Sequence, residues 1–241
     1  MGRGATRNAA RMWAVRPQEQ AAVRRGAAFA VVALAREELR RTRWARFGWV
    51  GIAIPVLLVL GGVVGDASDT RPNEAATLLA NIVVWSTWAC AGPIALGAAG
   101  AFEPSARSRG VGWLLVLRDV SRRAWLGASA LAAMLEIAWR LAVPWVLLAL
   151  CLGWHARSRA VAVMSLSLLA LAAFTGVLLG GVATVCSALA GVRGRTLFAV
   201  VVVVPWLFAK AYFDSPLSVP GLLQRAWDLV AAHNTSIVGL A

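Results

Sequence analysis

Long apolar runs broken by short arginine-rich stretches set the pattern of this chain. A helix rises about 1.5 Å per residue and bilayer hydrocarbon is about 30 Å thick, so about 20 mostly apolar residues cross it. Five runs approach or exceed that length: 47–65, 75–101, 125–153, 160–190 and 197–213. They predict an all-α, polytopic membrane protein with a transmembrane bundle over 47–213. Pro55, Pro93 and Pro144 fall inside runs, where a bundle re-satisfies the freed carbonyls, so they are expected as kinks and not ends. "GGVVG" (Gly61 to Gly65) and "GVLLG" (Gly176 to Gly180) set small residues four apart, a spacing that permits close helix contact.

The flanks read differently. Residues 1–26 are basic, interrupted by Pro17 and without apolar period, and predict a flexible cytosolic tail. Residues 27–46 contain "AAFAVVALA", too short to span and followed by "REELRR" where a cleavage site would need small residues. An interfacial amphipathic helix is expected, its apolar run toward lipid and Arg36, Arg40, Arg41 and Arg43 toward headgroups. Residues 214–241, broken by Pro216 and Pro220, predict an outer amphipathic or re-entrant helix. Its apolar face is Leu222, Leu223, Trp227, Leu229 and Val230, opposite Gln224, Arg225 and Asp228.

Composition sharpens the class. The chain is 60% hydrophobic and 15% charged, against about 45–50% and about 25% for ordinary soluble domains. Its net charge of +13 is almost all arginine, with Lys210 the sole lysine. These arginines edge the apolar runs, which suits the anionic cytoplasmic face of a membrane and membrane lipids as partners. No aromatic–basic module accompanies them, so nucleic acid is not an expected partner. Arginine-rich, lysine-poor composition points to a GC-rich bacterial genome and hence the bacterial inner membrane.

Arginine asymmetry sets the orientation. The N-terminal segment carries eleven, the 66–74 loop only Arg71, and the 102–124 loop five. The N-terminus and the 102–124 loop are expected inside and 66–74 outside. The loops near 155 and 191 carry two arginines each and decide nothing.

Catalytic chemistry has no foothold. Lys210 follows Ala209, so there is no Walker A; GxSxG, HExxH and paired carboxylates within a span are missing too. His155 and His233 stand alone, and Cys90, Cys151 and Cys186 lie far apart in or beside apolar runs. No catalytic residue, cofactor or metal site is expected, and the chain does not read as an enzyme.

Glu136 and Arg140 are conspicuous by cost. They lie mid-way along the third run at i and i+4, the carboxylate first, so each can neutralise the other. An uncompensated charge at mid-membrane costs at least about 2.5–3.5 kcal/mol. The pair reads as an ion pair locking the bundle interior, or as a polar spot on a substrate path or dimer seam.

The 103–128 stretch, "EPSARSRGVGWLLVLRDVSRRAWLGA", interrupts the oil with five arginines around an apolar strip too short to span. A short helix along the membrane face would set Trp113, Leu114 and Leu117 on one side and Arg109 and Arg118 near the other. Glu103 would meet Arg107 four residues on. The stretch reads as a headgroup anchor or as a docking helix.

Taken in order, "AREELRRTRWARF" (Ala35 to Phe47), Glu103, "RSRG" (Arg107 to Gly110) and "LRDVSRRAWLGA" (Leu117 to Ala128) resemble the transmembrane subunit of an ABC-2 type ABC transporter. The resemblance covers roughly 35–240. Asp119 stands in the family's proline region, Ala128 where a lysine is often seen, and no sixth span follows the fifth. The resemblance implies a permease subunit of an exporter, driven by a separate ATP-binding cassette ATPase and paired with a second permease half. It makes Glu103, Arg107, Arg109, Trp113, Leu114, Leu117, Arg118, Arg122 and Arg123 the partner-coupling residues. Outside that class stand a proton-coupled secondary carrier, which would want more buried carboxylates, and a non-transporting scaffold subunit.

Overall fold

The computed structural model describes residues 17–65, 79, 82–100, 121–155, 157 and 159–207, with 222–223, 225–226 and 228–230 near the end. All regular structure among the described residues is helical. Helix α1 is Pro17–Arg41 and α2 is Arg43–Gly65. A helical stretch from 82 passes through a π-helical turn, Thr87–Ala91, into α3, Gly92–Ala99. Helix α4 is Arg122–His155 and α5 is Arg159–Ala190. A 3-10 turn, Gly191–Arg193, leads to α6, Gly194–Phe198, a second π-helical turn, Ala199–Val203, and α7, Val204–Leu207.

Among the described residues, three stretches are long and apolar enough to cross a membrane: Ile82–Ala99, Arg123–His155 and Val161–Val203. The last is not one rod. Gly191 takes φ +55°, the left-handed conformation that ends helices, and Gly194 then lies against Ser187 and the Cys186 carbonyl. Seven residues apart on a continuous helix, Gly194 and Ser187 would be about 10 Å apart. The chain therefore turns back at Gly191, and α6 packs on α5 and α3.

Local chemistry sets the boundaries. The break between α1 and α2 is Thr42: its hydroxyl accepts from the Ala45 N–H at 3.2 Å and donates to the Leu39 carbonyl at 2.6 Å, capping α2 while closing α1. Ser121 caps α4 in the same way, accepting from the Ala124 N–H at 3.1 Å. Helix α1 begins at Pro17, ten residues before the boundary expected at 27. Proline suits a helix start because its missing N–H would have no partner there.

Both π-helical turns end two residues before a proline, Pro93 and Pro205. Pro93 removes the N–H that the Ala89 carbonyl would receive in an α-helix, and the helix widens around the gap. Helices α2 and α4 run through Pro55 and Pro144 without interruption.

The core is centred on the antiparallel α4–α5 pair. Gly176 and Gly180 meet Met134 backbone atoms so closely that a β-carbon would lie 2.5 Å and 2.8 Å from them. The close contact expected of "GVLLG" is thus made, against α4. Gly61 of the other small-residue pair has nothing within 4 Å. Trp145 is fully buried and donates its indole N–H to the Ser86 hydroxyl at 2.7 Å, tying α4 to the start of the first π-helical turn.

Near the C-terminus, Leu223 is buried and Ala226 and Val230 pack on the main core. Leu222 and Leu229 are exposed beside Arg225 and Asp228, so the buried face is narrower than the expected one. Positions 223, 226 and 230 share one side of a 3.6-residue helix, and 222 and 229 lie about 100° round from it.

Candidate functional site

Helix α4 shows two faces to its neighbours. Ala128, Ala132, Glu136 and Arg140 form a buried stripe at i, i+4 spacing. Small residues at its start let α1 come close: Val31, Val32, Leu34 and Ala35 pack on Trp125, Ala128 and Ala132. Helix α1 then runs parallel with α4, bringing Arg36 and Arg40 level with Glu136.

Glu136 is buried and receives three guanidinium groups. Arg36 Nε donates to Oε2 at 2.7 Å, Arg40 Nε to Oε1 at 3.0 Å, and Arg140 Nε to Oε1 at 2.8 Å. Arg140 Nη2 lies at 2.8 Å from the same oxygen. The sequence reading expected Glu136 and Arg140 to meet, and they do. Arg36 and Arg40 were expected to face headgroups; their Nε atoms turn inward to Glu136, a contact that reading did not include, while both side chains stay partly exposed. Arg41 pairs with Glu37 one turn back at 3.1 Å, and Arg43 is exposed.

Arg140 also reaches α2. Its Nη1 donates to the Ala45 carbonyl, and its guanidinium carbon stands 4.8 Å over the Trp49 ring. One side chain therefore neutralises Glu136, satisfies a carbonyl in the first turn of α2 and meets an aromatic face. At 3% side-chain exposure this charge has no recourse to water, whereas Arg36 and Arg40 keep 35% and 42%. The cluster joins three elements, α1, α2 and α4, and three guanidiniums on one carboxylate leave it with two positive charges.

The cluster lies toward one end of the bundle. Helix α4 has 34 residues, about 51 Å, well beyond one hydrocarbon thickness. Glu136 is 14 residues from its start and 19 from its end, and those 19 alone span about 29 Å. Gly97 stands against Leu39, Thr42 and Trp44, Gly100 lies beneath the Arg195 side chain, and Gly194 meets the Ala99 carbonyl. The α1–α2 break, the end of α3 and the turn at Gly191 all gather at this end.

Of the expected coupling residues, Glu103, Arg107, Arg109, Trp113, Leu114, Leu117 and Arg118 lie outside the described residues. Arg122 opens α4 and Arg123 beside it is exposed.

Sequence reasoning missed Arg36 and Arg40 as partners of Glu136, 100 and 96 residues away. One glutamate and one arginine at i, i+4 already balance, so local charge gives no sign of further partners. The available signal was the i, i+4 spacing of Arg36 and Arg40 beside Val32, Ala35 and Leu39, which aims two guanidiniums along an apolar helix face.

No family model, curated protein or solved structure matches the chain.

Proposed function

We propose that this chain is the transmembrane permease subunit of an ABC-2 type exporter in a bacterial inner membrane. It crosses five times from a cytosolic N-terminus, forms the translocation path with a second permease half, and is driven by a separate ATP-binding cassette ATPase. The observation that carries the reading is the convergence of α1, α3 and α4 at one end of the bundle, where the stretch 102–124, with its five arginines, leads from α3 into α4. Arginine excess keeps that segment cytosolic. A partner pushing on it would act on two membrane helices at once, and through Glu136 on α1.

The state of Glu136 weighs against a proton-coupled carrier. Such a carrier needs a carboxylate free to load and release a proton, and this one is held by three guanidiniums.

Affinity capture of the membrane-inserted chain, scored for a co-purifying ATPase, tests the proposal. Trp113→Ala or Arg122→Glu should abolish that co-purification while the subunit stays folded and inserted. Full ATPase binding by both variants would return the 103–124 stretch to a headgroup anchor. Recovery of other membrane proteins with no ATPase would make the chain a scaffold.

A further inference from the structure

Charge is left over at the Glu136 cluster. Each nitrogen of Arg140 has a partner, with Nε and Nη2 on Glu136 and Nη1 on the Ala45 carbonyl. Arg36 and Arg40 each give Nε to Glu136, and among the described residues their terminal nitrogens donate to nothing further. The two side chains keep 35% and 42% exposure. A guanidinium fixed through Nε presents its remaining N–H groups in a set direction, and two of them one helical turn apart suit a tetrahedral oxyanion.

Nearby carboxylates do not cancel this charge. Glu37 is taken by Arg41, and Glu38 lies about 200° round α1 from both Arg36 and Arg40. From residue 36 to 46, together with 136 and 140, six arginines face three glutamates, leaving three positive charges. Aromatics gather at the same level: Trp49 lies under Arg140 with half its surface exposed, and Phe47 is 58% exposed and packed on Trp44. Aromatics beside arginines are the usual furniture of the headgroup layer.

We infer that Arg36 and Arg40, aligned by Glu136, form a binding site for the phosphate of an anionic phospholipid at this end of the bundle. The lipid phosphate would bridge the two outer edges, with its acyl chains along exposed Trp49 and Val50 of α2. Glu136 acts as the positioning residue: it orients both guanidiniums without touching the phosphate. The proposal rests on the chain lying in a membrane and is independent of any ATPase.

The test is native mass spectrometry of the full chain released from nanodiscs of three parts phosphatidylcholine to one part phosphatidylglycerol. The wild type should retain phosphatidylglycerol preferentially, and Arg36→Gln/Arg40→Gln should lower that preference by about tenfold or more, the loss of charge-assisted hydrogen bonds to one phosphate. Arg43→Gln/Arg46→Gln, outside the cluster, should keep it. Equal loss in both double variants would mean diffuse charge attraction and overturn the site. So would equal retention of the two lipids by the wild type, a result independent of how any variant folds. Inorganic phosphate is added as a competitor at constant ionic strength: retention unchanged supports the lipid, and displacement makes a free anion the ligand. Failure of the chain to enter nanodiscs at all would count against the membrane reading itself.

Discussion

The α-carbon of Gly51 rests against the carbonyl oxygen of Ala89, the acceptor that Pro93 deprives of its helical N–H. The widened turn Thr87–Ala91 exposes this carbonyl, and a residue without a side chain lets α2 cover it. Gly48 does the same one turn earlier, where a β-carbon would lie 3.0 Å from the Cys90 carbonyl. A proline in one helix and two glycines in another are thus parts of a single contact.

Gly51→Ala should therefore be disruptive, because backbone cannot move aside as a flexible side chain can. Overpacking of this kind costs about 1–3 kcal/mol or more. Gly61→Ala, with nothing within 4 Å, should be neutral or gain up to about 1 kcal/mol in helix propensity. Apparent melting temperatures of the purified protein compare the two; equal effects would mean that α2 does not press on Ala89.

Removing Glu136 should hurt more than removing Arg140. Glu136→Leu strands the buried Arg140 and should cost about 3–5 kcal/mol, the usual penalty for breaking a buried pair. In Arg140→Leu, Glu136 keeps Arg36 and Arg40, so the loss should be smaller. Changing both to leucine should recover much of the folded yield, since Arg36 and Arg40 can turn to water. Size-exclusion profiles and thermal melts of the three variants decide the order. An Arg140→Leu variant as damaged as Glu136→Leu would show that the α1 arginines contribute nothing.

Gly191 has room but not freedom. No atom lies within 4 Å of its would-be β-carbon, yet its φ of +55° is disfavoured for side-chain-bearing residues. Gly191→Ala should cost about 1–2 kcal/mol, and Gly191→Asn less, because asparagine tolerates the left-handed region. A thermal melt in which alanine and asparagine are both silent would place the reversal elsewhere.

The two ends of α5 should lie on opposite sides of the membrane. Its 32 residues span about 48 Å between the turn at Arg157 and the turn at Gly191. With Cys90, Cys151 and Cys186 replaced, a cysteine at 157 should react with an impermeant maleimide from outside and one at 192 only after permeabilisation. Labelling of both from one side would rule out the crossing.

Much of the architecture is written locally and was legible as sequence. Apolar runs and the i, i+4 spacing of Glu136 and Arg140 need no distant partner to be understood; Thr42 and Ser121 cap α2 and α4 from within their own first turns, yet the apolar runs alone put those boundaries at 47 and 125. "GVLLG" announced a close contact because small residues four apart share a helix face, though not that Met134 would fill it. Tertiary structure alone decided what long-range packing controls. It placed α1 parallel with α4, so that Arg36 and Arg40 close on Glu136 across about a hundred residues. It also paired the Pro93 defect with Gly48 and Gly51, whose lack of side chains had no visible purpose in their own helix. Sequence periodicity assigns a residue to a face of its own helix. Which helix meets that face depends on how neighbouring surfaces fit and on which buried charges and carbonyls must find partners, and those conditions are met only when the whole bundle is assembled.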